Sequence, residues 1–381
     1  MPSTSPSTTS PSTPPETSHD TPSSGTDSTQ QPAEATAPIV TIYDVAKIAG
    51  VSYATVSRYL NGHPNVSKAS AAKIDAAVAQ TGFAPNSSAR SLAKRRTHIV
   101  ALIIHYNSKD VHNDPNIMSF LDGANTRVAE EGWQLVTLLA SNDDATSNIE
   151  QLVASGFADG YILFTFDFND ALLPIFAKRH LAAAISGTGY DRKSICPCVD
   201  VDNIGAMAEM IRYVLRDDNP PADRRRTRPA YISGPLDMPG APERFTAFNR
   251  VIAERFGTEF EAPVAYSPKW SRAGGAQAIR QWASDGTINR IDCIIAASDT
   301  IAAGAIDELH RLGRRVPDDI AVSGFDNSAA ATACTPQITT VDQHIERRGA
   351  VMADIVIRQI NGEHVPDLTM MPTELIVRQS A

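Results

Sequence analysis

The chain has 381 residues, of which 42% are hydrophobic and 20% are charged, and its net charge is −9. This length accommodates two or three compact domains. No apolar run approaches the roughly 18 residues of a membrane span, and the N-terminus lacks the basic and apolar regions of a secretory signal. We therefore expect a cytoplasmic protein that has no membrane partner.

Charge is distributed unevenly along the chain. Residues 1–39 contain four acidic residues and neither Lys nor Arg, whereas residues 40–97 contain eight basic residues and two acidic ones. Residues 98–381 then carry a net charge of −11. A small basic unit attached to a large acidic one is typical of a DNA-binding head on a separate body.

The first 39 residues are dominated by Ser, Thr and Pro. Such a segment cannot bury enough apolar surface to offset the cost of ordering the chain. We therefore expect residues 1–39 to be a disordered tail.

A helical pattern begins immediately after this tail. Thr41 and Asp44 form a capping signal for a first helix, which ends at Gly50, and Ser52 caps a second helix. A third short helix follows. Three short helices, two of them joined by a tight glycine turn, predict a helix-turn-helix domain at residues 40–85. Four apolar side chains are expected in its core: Val45, Ile48, Val56 and Leu60.

The second helix of such a motif enters the major groove of DNA with its N-terminal residues against the bases. This places Tyr53 and Ala54 at base edges and Arg58 one turn further on, at a base or a phosphate. The alternative for Tyr53 is an exposed helix residue without a role. Phosphate contacts are assigned to hydroxyl and amide side chains, namely Ser52, Thr55, Ser57 and Asn61.

Beyond residue 97 the pattern alternates between apolar strands and amphipathic helices. This alternation predicts an α/β body with parallel sheets, and its length is enough for two lobes. Strands are predicted at Ile99–Ile104, Gln134–Leu138, Gly160–Phe164, Leu181–Ile185, Pro229–Ile232, Cys293–Ala297 and Ile320–Val322. Helices are predicted, among others, at Met118–Glu131, Asn203–Leu215 and Thr300–Leu312.

The sequence lacks the motifs that are typical of enzymes and of metal-binding proteins. There is no phosphate-binding loop and no convincing pair of nucleophile and base. The four cysteines lack the Cys-x2-Cys spacing of a structural zinc site, so we interpret them as buried reduced thiols. We assign no catalytic residue, no metal and no cofactor, and an enzyme is disfavoured.

The stretch from Thr41 to Gly62 resembles the head of the LacI/GalR (lactose/galactose repressor) family of bacterial transcriptional regulators. The resemblance covers everything from residue 40 onward. It continues through Asn65-Val-Ser67, Gly82-Phe-Ala-Pro-Asn86, Ala89-Arg-Ser-Leu92, Val201-Asp-Asn203, Ser233-Gly-Pro-Leu236, Ser298-Asp299, Val316-Pro-Asp318, Ser323-Gly-Phe-Asp326 and Ile338-Thr-Thr340.

The resemblance implies a fold class and a set of boundaries. A helix-turn-helix head would precede an α/β body made of two Rossmann-like lobes of periplasmic-binding-protein type. The segments are a hinge helix at 86–97, an N-terminal lobe at 98–202 and 343–366, and a C-terminal lobe at 203–342 and 367–381.

The hinge is implied to fold on operator DNA. Arg90 would contact DNA there, and Leu92 would be a wedge inserted into a minor-groove step, where apolar side chains unstack bases. The alternative is a plain linker in which Leu92 packs on its own body.

The resemblance also implies a small effector, most simply a sugar, bound between the lobes. Arg244 offers a fork of donors for hydroxyls or a carboxylate, and Trp270 offers a flat apolar face. The alternatives are a core role for Trp270 and a helix-capping role for Asp299. The implied effector contacts are Arg244, Trp270, Asp299, Asp326 and Asn116. Asn116 lies in Asp114-Pro-Asn-Ile117, where the family often has Asn-Pro-Phe-Phe.

The sequence thus favours a homodimeric repressor that binds double-stranded, palindromic operator DNA under the control of a small carbohydrate effector. Two alternatives stay open. One is a cytoplasmic solute-binding protein, and the other is a regulator that responds to a non-sugar metabolite.

Overall fold

The computed structural model describes residues 40–63, 65–83, 96–106, 111, 114–165, 170–187, 196–217 and 225–381. These residues fall into two compact units, one ending at residue 83 and one beginning at residue 96. Within the described residues, no helix combines the length and the apolar character needed to cross a membrane. The tail 1–39 lies outside the described residues, and so does all of the predicted hinge except residues 96 and 97.

The first unit is a bundle of three helices, α1 (Ile42–Ala49), α2 (Tyr53–Leu60) and α3 (Lys68–Thr81). The backbone N–H and the hydroxyl of Thr41 donate to the Asp44 carboxylate at 2.8 and 2.7 Å. The Ser52 hydroxyl accepts from the Thr55 N–H at the start of α2. Gly50 ends α1 with a φ of 64°, a conformation that glycine adopts at little cost. The helix-turn-helix prediction is confirmed.

Small and branched side chains make the core of this unit. Val45 and Val56 are fully buried between the helices, and Leu60 packs against them half-buried. The prediction for Ile48 is wrong, because 47% of this residue is exposed. Val45 and Ala49 already occupy the inner face of α1, and Ile48 points away from it.

The second unit alternates strands and helices, as predicted. Its elements in chain order are β1 (Ile99–Ile104), α4 (Pro115–Glu130), β2 (Gln134–Leu139), α5 (Asp143–Ser155), β3 (Gly160–Thr165), α6 (Leu172–Arg179), β4 (Ala182–Ser186), β5 (Cys198–Val201), α7 (Asn203–Val214), β6 (Pro229–Ser233), α8 (Ala241–Phe256), β7 (Val264–Tyr266), α9 (Arg272–Ser284), β8 (Cys293–Ala296), α10 (Asp299–Arg311), β9 (Ala321–Ser323), α11 (Ala329–Ala333), β10 (Thr340–Asp342), α12 (Ile345–Ile360), β11 (Leu368–Met371) and β12 (Glu374–Ile376).

Two parallel sheets define two lobes. The first sheet has the order β11-β5-β4-β3-β1-β2, and the second has the order β7-β6-β8-β9. Strands β10 and β12 form a small antiparallel pair. Separate apolar clusters fill both faces of each sheet, as expected for parallel sheets covered by helices. The predicted fold class, a helical head and a two-lobed α/β body, is confirmed.

The chain crosses between the lobes three times, after β5, after β10 and after β11. The last crossing corrects the predicted boundary at residue 366. Leu368–Met371 pairs with β5 in the first sheet, so this segment belongs to the N-terminal lobe. It could not be assigned from its sequence, because Thr369 and two methionines do not distinguish one sheet from the other.

All four cysteines are free thiols. Cys198, Cys293 and Cys334 are buried as expected, whereas Cys196 is half-buried. Burial raises the pKa of Cys196 and that of Cys198 to about 12. A thiol with such a pKa stays protonated and unreactive.

Candidate DNA interface and effector cleft

Helix α2 exposes the residues that the sequence analysis assigned to base contact. Tyr53 is 46% exposed, and Ala54 and Arg58 are exposed on the same side. Val56 is fully buried on the opposite side. Arg58 forms no ion pair with any described residue. One face of α2 is thus fixed by the core while the other is available to a groove of DNA.

The polar side chains at the ends of α2 already make internal hydrogen bonds. The hydroxyls of Ser52 and Thr55 lie 2.8 Å apart. The side-chain amide of Asn61 donates to the Ser57 carbonyl at 2.8 Å. Each of these groups keeps further hydrogen-bonding capacity, so their assignment to phosphate contacts remains a prediction.

One exposed residue of this unit was missed. Tyr43 of α1 stacks on Tyr53, with ring centroids 4.9 Å apart and planes 15° apart. Tyr43 itself is 66% exposed. The two rings form a continuous aromatic surface, and stacking restricts the orientation of the Tyr53 ring. The predicted contacts Arg90 and Leu92 lie outside the described residues.

The second unit contains a cavity between its lobes, which we call the inner cavity. It has a volume of about 100 Å³ and lies where parallel strands end and the chain crosses between lobes, the usual ligand site of open α/β sheets. Its lining combines three carboxylates, two guanidinium groups and several amides and rings: Tyr106, Asp114, Asn116, Phe164, Ser186, Gly187, Asp200, Asn203, Met238, Pro239, Gly240, Arg244, Trp270, Asp326, Gln343, Ile345 and Arg348.

Arg244 projects from α8 into this cavity. Its Nη1 donates to the Ala297 carbonyl at 2.7 Å and lies 3.4 Å from the Asp326 carboxylate, and its Nε donates to the Asn203 side chain at 3.0 Å. The guanidinium plane also lies 3.8 Å from the Phe325 ring centroid. Its Nη2 has no hydrogen-bond partner among the described residues. Arg244 is therefore held rigidly, and its Nη2 group is available to donate to a ligand.

A second arginine, Arg348 of α12, was missed by the sequence analysis. Its Nη2 donates to the Val199 carbonyl at 2.9 Å and lies 3.4 Å from Asp200, and its Nη1 donates to Gln343. Burial lowers the pKa of Arg348. Its buried Nε lacks a hydrogen-bond partner in the described part of the chain.

Asp326 connects the two lobes. It accepts a hydrogen bond from Asn116 of the N-terminal lobe at 2.9 Å, another from Gln343, and it faces Arg244. Its backbone has a φ of 116°, which is costly for a residue other than glycine. The contacts from both lobes hold Asp326 in this conformation.

Asp114 lies beside this network and caps α4. Its carboxylate accepts a hydrogen bond from the Asn116 N–H at 3.0 Å. Burial raises the pKa of Asp114 to about 7, and the nearby charge of Asp326 adds to the shift. A group that titrates near neutrality inside a cleft is typical of functional sites.

Trp270 reaches the cavity as predicted, with its indole packed on the backbone of Gly234, where a Cβ atom would lie 2.2 Å from the ring. The prediction for Asp299 is wrong. Asp299 is fully buried away from the cavity and accepts hydrogen bonds from Ser328 and Thr340. It is the first residue of α10, which Ser298 caps, so its role is structural.

The sequence did contain a signal for Arg348. Ile345, Gly349 and Met352 mark the buried stripe of α12 at helical spacing, and Arg348 falls on the same stripe. A cation on the apolar face of a helix indicates a buried partner or a site.

Comparison with known proteins agrees with this organisation. Residues 41–86 match the family described as bacterial regulatory proteins, lacI family. Residues 221–381 match the periplasmic binding protein-like domain.

Two curated relatives each match about nine-tenths of this chain. The ribose operon repressor of Halalkalibacterium halodurans is 30% identical over 347 residues, which are 90% of this chain and 97% of the relative. The transcriptional regulator CelR of Thermobifida fusca is 29% identical over 346 residues, 89% of this chain and 98% of the relative.

Two solved structures are similar over 90% of this chain. A transcriptional regulator CelR–cellobiose complex has a TM-score of 0.68, 28% identity and 100% of its own chain covered. The lac repressor dimer bound to operator and the anti-inducer ONPF has a TM-score of 0.76, 22% identity and 98% coverage. The second likeness concerns the fold alone.

Proposed function

The chain belongs to the LacI family of bacterial regulatory proteins, and we propose that it represses transcription as a homodimer bound to a palindromic operator. It is a DNA-binding regulator of transcription, as its relatives are, and not an enzyme. Its place of action is then the cytoplasm, where bacterial DNA lies. The two-fold symmetry of a dimer matches the symmetry of a palindrome.

The head supports this proposal through the exposed face of α2. Tyr53, Ala54 and Arg58 lie on that face, and the core holds the opposite one.

The charge balance of the inner cavity supports a neutral, polyhydroxylated effector. Each arginine faces a carboxylate at 3.4 Å, Arg244 facing Asp326 and Arg348 facing Asp200. An anionic ligand would have to compete with these carboxylates and would meet Asp114 as well. Sugar hydroxyls both donate and accept hydrogen bonds and suit this mixture of fixed donors and acceptors. This pairing is the observation that carries the proposal of a saccharide effector.

The names of relatives are consistent with such a ligand. One relative is a ribose operon repressor, and the CelR structure is a complex with cellobiose. The alternative of an effector that is not a sugar has no specific observation in its favour.

A gel-shift titration tests the regulator. The intact protein should bind a palindromic site from its own promoter more tightly than random DNA at physiological salt. Tyr53→Ala should weaken binding to that site about ten-fold, as expected for a lost base contact worth about 1–3 kcal/mol. Binding to random DNA should stay unchanged.

Tyr59→Phe is the matched control, since Tyr59 lies on the inner side of α2 and donates to Asp75. This variant should bind the site like the unmodified protein. Equal affinity of the unmodified protein for the palindrome and for random DNA would refute the proposed operator binding.

A further inference from the structure

The starts of α1 and α2 lie next to each other in the head, and each carries a tyrosine. Tyr43 is the second residue of α1, and Tyr53 is the first residue of α2. Their rings are stacked, with centroids 4.9 Å apart and planes 15° apart. Tyr43 is 66% exposed and Tyr53 is 46% exposed. The stacked pair therefore lies on the surface of the head and not in its core.

Both helix starts are fixed by capping hydrogen bonds. The Thr41 N–H and hydroxyl donate to the Asp44 carboxylate at 2.8 and 2.7 Å at the start of α1. The Ser52 hydroxyl accepts from the Thr55 N–H at 3.2 Å at the start of α2. The backbone that carries each ring is therefore held, and the freedom left to each tyrosine is rotation of its side chain.

Stacking restricts this rotation. An exposed tyrosine without neighbours samples several staggered side-chain conformations, and ordering such a side chain when a partner binds costs free energy. In this head Tyr43 covers one face of the Tyr53 ring, while close to half of Tyr53 stays exposed. The Tyr53 ring is thus held in one orientation before DNA is bound.

The core of the head is formed by other side chains. Val45 and Ala49 of α1 and Val56 of α2 are buried, and among the described residues neither tyrosine belongs to the apolar cluster that they form. Aromatic side chains that are left exposed side by side are typical of binding surfaces. Recognition of a partner therefore explains the stack better than stabilisation of the fold.

We propose that Tyr43 is a positioning residue for operator recognition, which orients the Tyr53 ring for base contact without reading the sequence itself. The stacked pair then increases the affinity of the head for its own site. It adds little to the affinity for random DNA, which depends on phosphate contacts. This inference rests on the proposed contact between Tyr53 and the bases, and it adds a residue of α1 to the reading surface of α2.

A double-mutant cycle on the intact protein tests the inference. Fluorescence anisotropy measures the affinity of four proteins for a duplex with the palindromic site and for a random duplex: the unmodified protein, Tyr43→Ala, Tyr53→Ala and the double variant. Tyr43→Ala should lower affinity for the palindromic site about three- to ten-fold, because the free ring must be ordered on binding. Its affinity for random DNA should change less than about two-fold. In the Tyr53→Ala background, Tyr43→Ala should lower affinity for the palindromic site less than about two-fold.

Two further variants of α1 serve as matched controls. Tyr43→Phe keeps the stacked ring and loses the hydroxyl, so it should bind the palindromic site within about two-fold of the unmodified protein. Ile48 is also exposed, at 47%, and lies about 140° around the helix axis from Tyr43. Ile48→Ala should leave both affinities unchanged.

Two results would overturn the positioning role. One is an unchanged affinity of Tyr43→Ala for the palindromic site. The other is an equal loss from Tyr43→Ala with and without the Tyr53 ring, which would make Tyr43 an independent DNA contact or a residue that the fold needs. An unchanged affinity in Tyr53→Ala would remove the base contact and the positioning role with it, while operator binding would stand. If the unmodified protein shows no preference for the palindromic site, the proposed function fails and the inference fails with it.

Discussion

Asp114 and Asp326 line the same cavity in different electrostatic settings. Asp326 faces Arg244 and accepts two side-chain hydrogen bonds, whereas the bond that Asp114 accepts among the described residues comes from a backbone N–H. The pKa of Asp114 rises from 3.8 to about 7 because of burial first and the charge of Asp326 second. Between pH 3.8 and about pH 7 the carboxyl group of Asp114 therefore keeps a proton in the folded protein that it has released in the unfolded chain.

The sign of the effect on stability follows from this shift. The stabilising contribution of protonated Asp114 is complete below pH 3.8 and is lost as the pH rises through about 7. We expect Asp114→Asn, which keeps the N-cap of α4, to raise the melting temperature by a few degrees at pH 8. At pH 5, where little more than one pH unit of this loss has accrued, the gain in melting temperature should be less than half of that at pH 8. Thermal denaturation at both pH values measures the difference.

Asp202→Asn is the control for this experiment. Asp202 caps α7 in the same way, by accepting a hydrogen bond from the Gly205 N–H, but it is exposed. Its replacement should give the same small change at pH 5 and at pH 8. A pH-independent gain from Asp114→Asn would contradict the assignment of a buried, titrating carboxyl group.

Among the elements, long apolar runs could be predicted from the sequence with good bounds. The strand predicted at Ile99–Ile104 has those bounds in the structure, because a strand of a parallel sheet is buried on both faces and needs apolar residues throughout. The short strand β5 (Cys198–Val201) was missed because Asp200 interrupts its apolar pattern. This carboxylate faces Arg348 in the inner cavity.

The residues that line the inner cavity could be predicted only in part from the sequence. Arg244, Trp270, Asp326 and Asn116 line the cavity, and their contact with an effector, which the family resemblance implies, stays a prediction. Asp299 does not line it, because it follows a strand end as a ligand contact would but turns into the fold to hold Ser328 and Thr340. Sequence position specifies the end of a strand, whereas the direction of the side chain depends on tertiary contacts.

Helices α4 and α12 determine where several cavity residues lie. Asp114 and Asn116 are at the start of α4, and Arg348 is in the first turns of α12. The helices meet backbone to backbone at two glycines. A Cβ atom on Gly123 would lie 1.8 Å from the Glu346 carbonyl oxygen, and one on Gly349 would lie 2.2 Å from the Phe120 carbonyl oxygen.

Gly123→Ala should therefore push the two helices apart. Overpacking against backbone atoms costs about 1–3 kcal/mol, and we expect urea denaturation to show a loss of that size. Saccharide affinity should fall as well, because Asn116 and Arg348 would no longer keep their spacing across the helix pair.

Gly205→Ala is a matched control on another helix. Its new Cβ atom would meet only the side chain of Asp202, which can rotate away. The lost cap and the gained helix propensity are each worth about 1 kcal/mol and oppose each other. A loss in Gly123→Ala no larger than that in Gly205→Ala would show that the two helices can separate without cost.

At the scale of the whole molecule, the DNA-binding head and the proposed effector cleft belong to different units of the chain. Coupling between them must be reciprocal, because both ligands act on one equilibrium between states of the same protein. The contact between Asn116 and Asp326 joins the two lobes, and both residues line the inner cavity. The lobe arrangement is therefore the property that an effector can change.

Reciprocity gives a quantitative prediction for the intact protein. If the tightest-binding saccharide changes operator affinity by some factor, saturating operator must change saccharide affinity by the same factor, within the error of the two titrations.

Arg244→Lys keeps a cation beside Asp326 but loses the planar fork, so it should reduce both factors to about one. Operator affinity without saccharide should stay within about three-fold of that of the unmodified protein, because Arg244 lies in the second unit and not in the head. Unequal factors would mean that saccharide and operator do not act on a shared equilibrium, and a full response in Arg244→Lys would remove this guanidinium from effector recognition.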